Sequence, residues 1–288
     1  MTKSLLDAIL EPGALSVRFQ PIFHLQNGER RVDSVEALIR GPRGTNFARA
    51  DILFDYVRRK KAEVAMDQSC LTAVCDTVLR LPADVRVNVN VHASTLGQGS
   101  TFLEFFHRCT RKRALKLDRF TIEIVEHAPS YDAVQLGKSL SQLRDWGVRL
   151  ALDDVGLGQS NYRMMLDCDP EYFKLDAYFV RDITKDPKRR AVVESLVALA
   201  ARLESAVVAE AVASEEDLSR VTELGVDLVQ ANILCPAMPL EELQRLGHVK
   251  ALPVAGTQLN PASETRDDRQ FEGRTMTFSM AVGQSFYT

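Results

Sequence analysis

At 288 residues and 45% hydrophobic, the chain holds enough apolar material for one large barrel or two modest domains, and its net charge of −3 with dispersed Lys and Arg argues against a nucleic-acid polymer as partner. The short basic runs Arg58-Arg59-Lys60-Lys61 and Arg111-Lys112-Arg113 read as solvated helix faces. Five cysteines, Cys70, Cys75, Cys109, Cys168 and Cys235, form an odd set without metal-ligand spacing; with no 18-residue apolar run and no charged leader ahead of an apolar core, they point to a cytoplasmic protein without a membrane span.

Eight strand-like runs follow in order: 17–25 (VRFQPIFHL), 31–40 (RVDSVEALIR), 85–91 (VRVNVNV), 119–126 (RFTIEIVE), 149–154 (RLALDD), 172–176 (YFKLD), 206–212 (AVVAEAV) and 227–234 (DLVQANIL). Asn27-Gly28 between the first two signals a tight hairpin, too short for a crossover helix, so those strands are antiparallel. Helical patterns such as AVQLGKSLSQLRDWG and RRAVVESLVALAARLE separate the later runs and imply parallel strands covered by helices. The simplest closure is a TIM-like (β/α)8 barrel with an antiparallel first strand, over residues 1–250. An open doubly wound sheet is the alternative, although the first strand is not followed by GxGxxG. Residues 251–288 are polar and aperiodic and read as an extension ending in a short strand-like run, TMTFSMAVGQSFYT.

The fifth run delivers Asp153 and Asp154 to the end of a buried strand, where an unpaired polar group costs several kcal/mol, roughly 2–7. Other runs also carry an oxygen-bearing side chain late in the strand: Glu36, Asn90, Glu123, Glu210 and Gln230. In a parallel barrel the C-terminal strand ends converge on one face, where such folds place their chemistry. Clustered carboxylates without Cys or a well-placed His select hard divalent cations such as Mg²⁺, Mn²⁺ or Ca²⁺, and adjacent aspartates can serve two of them.

The motif VEALIRG, with Glu36-Ala37-Leu38 and Arg40, resembles the signature of the EAL family of cyclic di-GMP phosphodiesterases. FQPI (19–22), VNVHAS (89–94), EIVE (123–126), DDVGLG (153–158), FKLD (173–176), AEAV (209–212) and VQAN..CP (229–236) follow in the family's order. The resemblance spans about residues 15–245. It implies hydrolysis of cyclic di-GMP to linear pGpG with two Mg²⁺ or Mn²⁺ ions. Glu36, Asn90, Glu123 and Asp153 match the first metal's ligands, and Asp153 with Asp154 the second's. Glu210 matches a glutamate at the metal centre sometimes assigned as general base, and Lys174 the lysine beside the attacking water. Gln20, Leu38, Arg40 and Gln230 match positions around the ligand, and Glu126 matches the anchor of the loop after the aspartates. A homodimer or a regulatory protein partner is also implied.

Several positions depart from the family. Val155, Leu157 and Gln159 replace the usual Phe, Thr and Tyr of that loop, Ala213 replaces a glutamate, Ala231 a glycine and His92 a serine. Two readings therefore stay open: a working phosphodiesterase, slowed because supporting residues typically matter about 10–100-fold, or a module that binds cyclic di-GMP or a protein without turnover. His127 and Trp146 read as packing residues and His24 as a surface residue.

Overall fold

The structure, a computed structural model, describes residues 4–26, 29–125, 132–157 and 161–247. These residues fall in one compact unit, Met1–Leu252. Eight strands close into a barrel in chain order: β1 (Ser16–Gln26), β2 (Glu29–Arg40), β3 (Arg86–His92), β4 (Phe120–Val125), β5 (Arg149–Val155), β6 (Tyr172–Leu175), β7 (Ala206–Glu210) and β8 (Leu228–Gln230). β1 runs antiparallel to both β2 and β8, and the remaining pairs are parallel. The barrel and its antiparallel first strand are as the sequence predicts; the open sheet is not formed. Gln26 pairs with Glu29, as a two-residue connection requires. Asn27 and Gly28 themselves lie outside the described residues, as do Glu126, His127, Gln159 and residues 248–288, so the expected loop anchor and terminal strand are not placed.

The helices are α1 (Leu5–Ile9), α2 (Ala50–Arg59), α3 (Glu63–Val78), α4 (Ala93–Leu96), α5 (Ser100–Lys112), α6 (Ala133–Asp145), α7 (Asn161–Cys168), α8 (Ala177–Val180), α9 (Pro187–Arg202), α10 (Glu215–Glu223) and α11 (Leu240–Arg245). α9 starts two residues before its expected pattern because Asp186 accepts from the backbone N–H groups of Lys188 and Arg189, and Pro187 suits the first helical position. β7 stops at Glu210, since Ala211 adopts φ 51°, and β8 gives way after Gln230 to a turn in which Cys235 N–H donates to Ala231 O. Among the described residues no helix is long and apolar enough to cross a membrane.

Period-two alternation sorts each strand into an outer and an inner face. Val35, Ala37, Val87, Val89, Val91, Ile122, Ile124, Phe173 and Val207 join the main core between sheet and helices. Inside the barrel, Ile22, Val208 and Leu228 make a small apolar floor, with Tyr172 packed against it. Above that floor the inner positions turn polar. Trp146 packs against the core as expected, whereas His24 is half-buried instead of lying at the surface, with Asp33 nearby.

Candidate active site

Asp153 and Asp154 should face opposite sides of an ordinary strand. The β5–β6 register solves this: Leu152 pairs with Phe173 and Val155 with Leu175, so one extra residue bulges from β5. Asp154 occupies the left-handed region at φ 52° and Gly156 follows at φ 99°. Backbone held there by a non-glycine residue costs of order 1–3 kcal/mol and recurs at functional sites. As a result, carboxylate oxygens of Asp153, Asp154 and Glu210 all lie within 4.8 Å of one another.

Below them sits Lys174, projected inward from β6 and 1% exposed. Its Nζ lies 2.6 Å from Glu210 Oε1, 2.7 Å from Glu123 Oε2, 3.4 Å from Asp153 Oδ1 and 3.5 Å from Glu36 Oε2. Amides tie down the same carboxylates. Asn90 Nδ2 donates to Glu36 Oε1 at 2.7 Å, Gln230 Nε2 to Glu36 Oε2 at 2.5 Å, and Asn88 Nδ2 to Glu123 Oε1 at 2.8 Å. Gln20 accepts from Gln230 at 3.2 Å and donates to Asn232 Oδ1 and Cys235 O, so it braces Gln230 from β1.

Five carboxylates facing one ammonium leave four negative charges uncompensated at full ionisation, and the acid strengths show where the excess falls. Burial pushes Glu210 up to about 8 against the pull of Lys174, with the Asp153 charge adding to the rise. Burial and then Asp153 push Asp154 up to about 6. Glu123 is raised well above the ordinary carboxylate range by burial and by Glu36. Burial also opposes ionisation of Glu36, but Lys174 and the Gln230 and Asn90 amides outweigh it and hold this acid below its usual value. Lys174 stays a firm cation: burial opposes its charge, and Asp153, Glu123, Glu210 and Glu36 overcome it.

The donor set is all oxygen apart from the lysine, and Asp153 Oδ1 is buried without a hydrogen-bond partner. Together with the surplus charge, these features fit a hard divalent cation. Glu36, Asn90, Glu123, Asp153, Asp154, Lys174, Glu210 and Gln230 are thus assembled at one end of the barrel. Leu38 and Arg40 lie farther along β2 and line an adjoining cavity of about 300 Å³ with Glu36, Asn90 and Asp153. Arg40 turns Nη1 to Ile39 O at 2.9 Å. Asn88 escaped the sequence reading, although its period-two spacing from Asn90 was the available signal. The buried Asp67, which holds His92, carried no local signal because its partner lies 25 residues away on another element.

A family model described as the EAL domain matches residues 2–237. The chain belongs to the EAL domain family. This EAL domain is 29% identical over 253 residues to the cyclic di-GMP phosphodiesterase NbdA of Pseudomonas aeruginosa, an alignment that covers 83% of the chain and 31% of NbdA. It is 31% identical over 166 residues to the cyclic di-GMP phosphodiesterase RocR of the same organism, covering 56% of the chain and 41% of RocR. The chain therefore spans about a third of the length of these curated relatives. Among solved structures, the MucR phosphodiesterase in complex with c-di-GMP superposes with a TM-score of 0.72 at 24% identity, covering 83% of this chain and 97% of that one. That likeness concerns the fold.

Proposed function

We propose that this EAL domain is a metal-dependent phosphodiesterase that opens cyclic di-GMP to linear pGpG. The observation that carries the reading is the bowl itself: five inward carboxylates, a bulge that turns two adjacent aspartates into it, and more negative charge than Lys174 can balance. Glu36, Asn90, Glu123 and Asp153 would hold one Mg²⁺ or Mn²⁺, and Asp153 with Asp154 a second. Such ions, when bound, lower the pKa of water and stabilise charge on the attacking and leaving oxygens of an in-line displacement.

The chain's own groups do the rest. Lys174 Nζ, pinned between Glu123 and Glu210, fixes the orientation of the Glu210 carboxylate. Glu210, which burial favours in its protonated form and which a bound cation would favour as the carboxylate, takes a proton from the attacking water once ionised. As the water oxygen bonds to phosphorus, the P–O3′ bond breaks, the 3′ oxygen takes a proton from solvent and Glu210 then returns its own to solvent, leaving a 5′-phosphate and a 3′-hydroxyl. Gln230 and Gln20 keep Glu36 in place, and Leu38 and Arg40 meet the ligand beside it.

A receptor without turnover is favoured by one feature: Leu157, 50% exposed directly after the aspartate turn, brings no hydroxyl to that loop. Incubation with cyclic di-GMP and Mg²⁺ or Mn²⁺, followed by chromatography, separates the two. We expect pGpG, lost in EDTA and in Glu36→Ala. Ligand binding without product at high protein concentration would establish the receptor reading instead.

A further inference from the structure

All five cysteines are buried free thiols, and two of them meet. Cys75 on α3 and Cys109 on α5 come together where these helices pack against each other. Cys109 Sγ lies 4.0 Å from Leu71 O, one turn before Cys75 on α3, and the two thiols share a hydrogen bond. From the end of α5, Arg113 reaches back to the pair. Its Nη1 donates to Cys109 Sγ at 3.3 Å and to Cys109 O at 3.1 Å, while Nε donates to Asp76 Oδ1 at 2.6 Å.

A cysteine among apolar atoms acts as a small hydrophobe whose thiol is made inert by desolvation. Cys70 fits that description, raised well above the ordinary thiol range by burial and by Asp67, and so does Cys235, pushed up to about 11 by burial. Cys109 shifts the other way. The hydrogen bond from Cys75, with Arg113 and Thr72, outweighs burial and the Asp76 charge and holds this thiol down to about 7. Cys75 rises for the complementary reason, since it keeps the hydrogen that it gives to Cys109. Cys109 is 6% exposed, and its neighbour Thr72 lines, with Asp76 and Phe105, an outer groove of about 960 Å³ that brings solvent to the edge of the pair.

We propose that Cys109 is a peroxide-reactive thiol and that Cys75 is the partner that resolves it to a disulfide between α3 and α5. The Cys109 thiolate attacks one oxygen of a peroxide. The O–O bond breaks, the sulfur is oxidised to a sulfenic acid, and the departing oxygen takes a proton from solvent to leave as water or an alcohol. The Cys75 sulfur then attacks the sulfenic sulfur: an S–S bond forms, the S–O bond breaks, and the Cys75 proton leaves with that oxygen as water. A small thiol restores the pair by exchange. The pair lies in the helical layer outside the barrel, so its chemistry holds whatever the bowl hydrolyses.

The test uses the full chain, reduced and freed of reductant, treated with hydrogen peroxide at pH 7 beside free glutathione, then alkylated in denaturant and mapped by mass spectrometry. Two of the five thiols should be lost, both in one linked pair of peptides carrying Cys75 and Cys109, and dithiothreitol should recover them. Cys109→Ala should abolish the link and leave Cys75 reduced. Cys75→Ala should leave Cys109 as a sulfenic acid that a dione reagent traps. Arg113→Gln should slow oxidation of Cys109 roughly three- to tenfold, as the thiolate fraction falls toward that of a free thiol with a pKa of about 8.5; an unchanged rate would remove Arg113 from the reaction. Melting curves of the reduced variants check that each is folded, and the parent decides the proposal without them. A parent whose Cys109 is still reduced once the glutathione is fully oxidised would overturn it, as would a link made through Cys70, Cys168 or Cys235 instead. Advance of Cys109 to the sulfinic acid without a link would overturn the role of Cys75.

Discussion

Replacing Lys174 by methionine keeps the length of the side chain and removes the cation that, among the described residues, pairs directly with Glu36, Glu123, Asp153 and Glu210. Breaking a buried ion pair by deleting one partner costs about 3–5 kcal/mol, because the other charge stays buried and unpaired. At about 2–4 °C per kcal/mol for a unit of this size, the metal-free variant should melt roughly 6–20 °C below the parent. The loss depends on pH in a defined direction. In the parent, Glu210 and Asp154 titrate near 8 and 6, above the ordinary carboxylate value of about 4 that applies to the unfolded chain. The folded state therefore holds protons that the unfolded state has released, so the stability these two groups provide is complete below about pH 4 and is lost as pH rises through 6 and then 8. Without Lys174 the carboxylates lean harder on protonation, and that slope steepens. Urea unfolding of both proteins in EDTA at pH 5.5 and pH 8 measures the difference. A gap under about 1 kcal/mol at pH 8, or one no larger there than at pH 5.5, would refute the view of Lys174 as the charge centre of the bowl.

Divalent-cation affinity should rise from pH 6 to pH 8 with release of protons, because Asp154 and Glu210 must ionise to bind; titration calorimetry in buffers of different ionisation enthalpy counts those protons. Asn88→Ala should weaken metal binding about 10–100-fold by freeing Glu123 Oε1, whereas an unchanged affinity would show that Lys174 alone fixes that carboxylate. Gly156→Ala should cost roughly 1–3 kcal/mol by denaturant melt and lower metal affinity, since an added Cβ would stand 2.6 Å from the Phe179 ring on a backbone at φ 99°. Leu157→Thr, at an exposed position, should leave stability within about 0.5 kcal/mol of the parent, so any change in metal affinity can be assigned to the hydroxyl.

The eight strands and the inward residues late in them were legible because strand periodicity and barrel convergence are local patterns repeated eight times. The Asn27-Gly28 dipeptide similarly announced the antiparallel start. What stayed hidden was whatever depends on register. Nothing in LALDDVG states that a residue bulges between Leu152 and Val155, and that bulge is what lets neighbouring aspartates share a bowl. Lys174 reads as a single lysine in a short strand; its contact with four acids from four other strands exists only once the barrel closes. Arg58, Arg59, Lys60 and Lys61 are all exposed, as a solvated run implies, and Arg58 also lines the cavity beside the bowl, which charge pattern alone does not reveal.

The reversed first strand decides where the chain enters the molecule. Because β1 opposes its neighbours, Ser16 pairs with Arg40, at the C-terminal end of β2. In an all-parallel barrel a preceding segment would be threaded in from the far side; here it arrives at the rim that carries the chemistry. Leu10, Glu11, Pro12 and Gly13 line a groove together with Arg40 on that approach. From there β1 leads to Gln20, whose amide holds Gln230 and through it Glu36. A tug or twist applied to a polypeptide fused ahead of β1 thus has a short mechanical route to an acid of the bowl, one built from a strand and two amides.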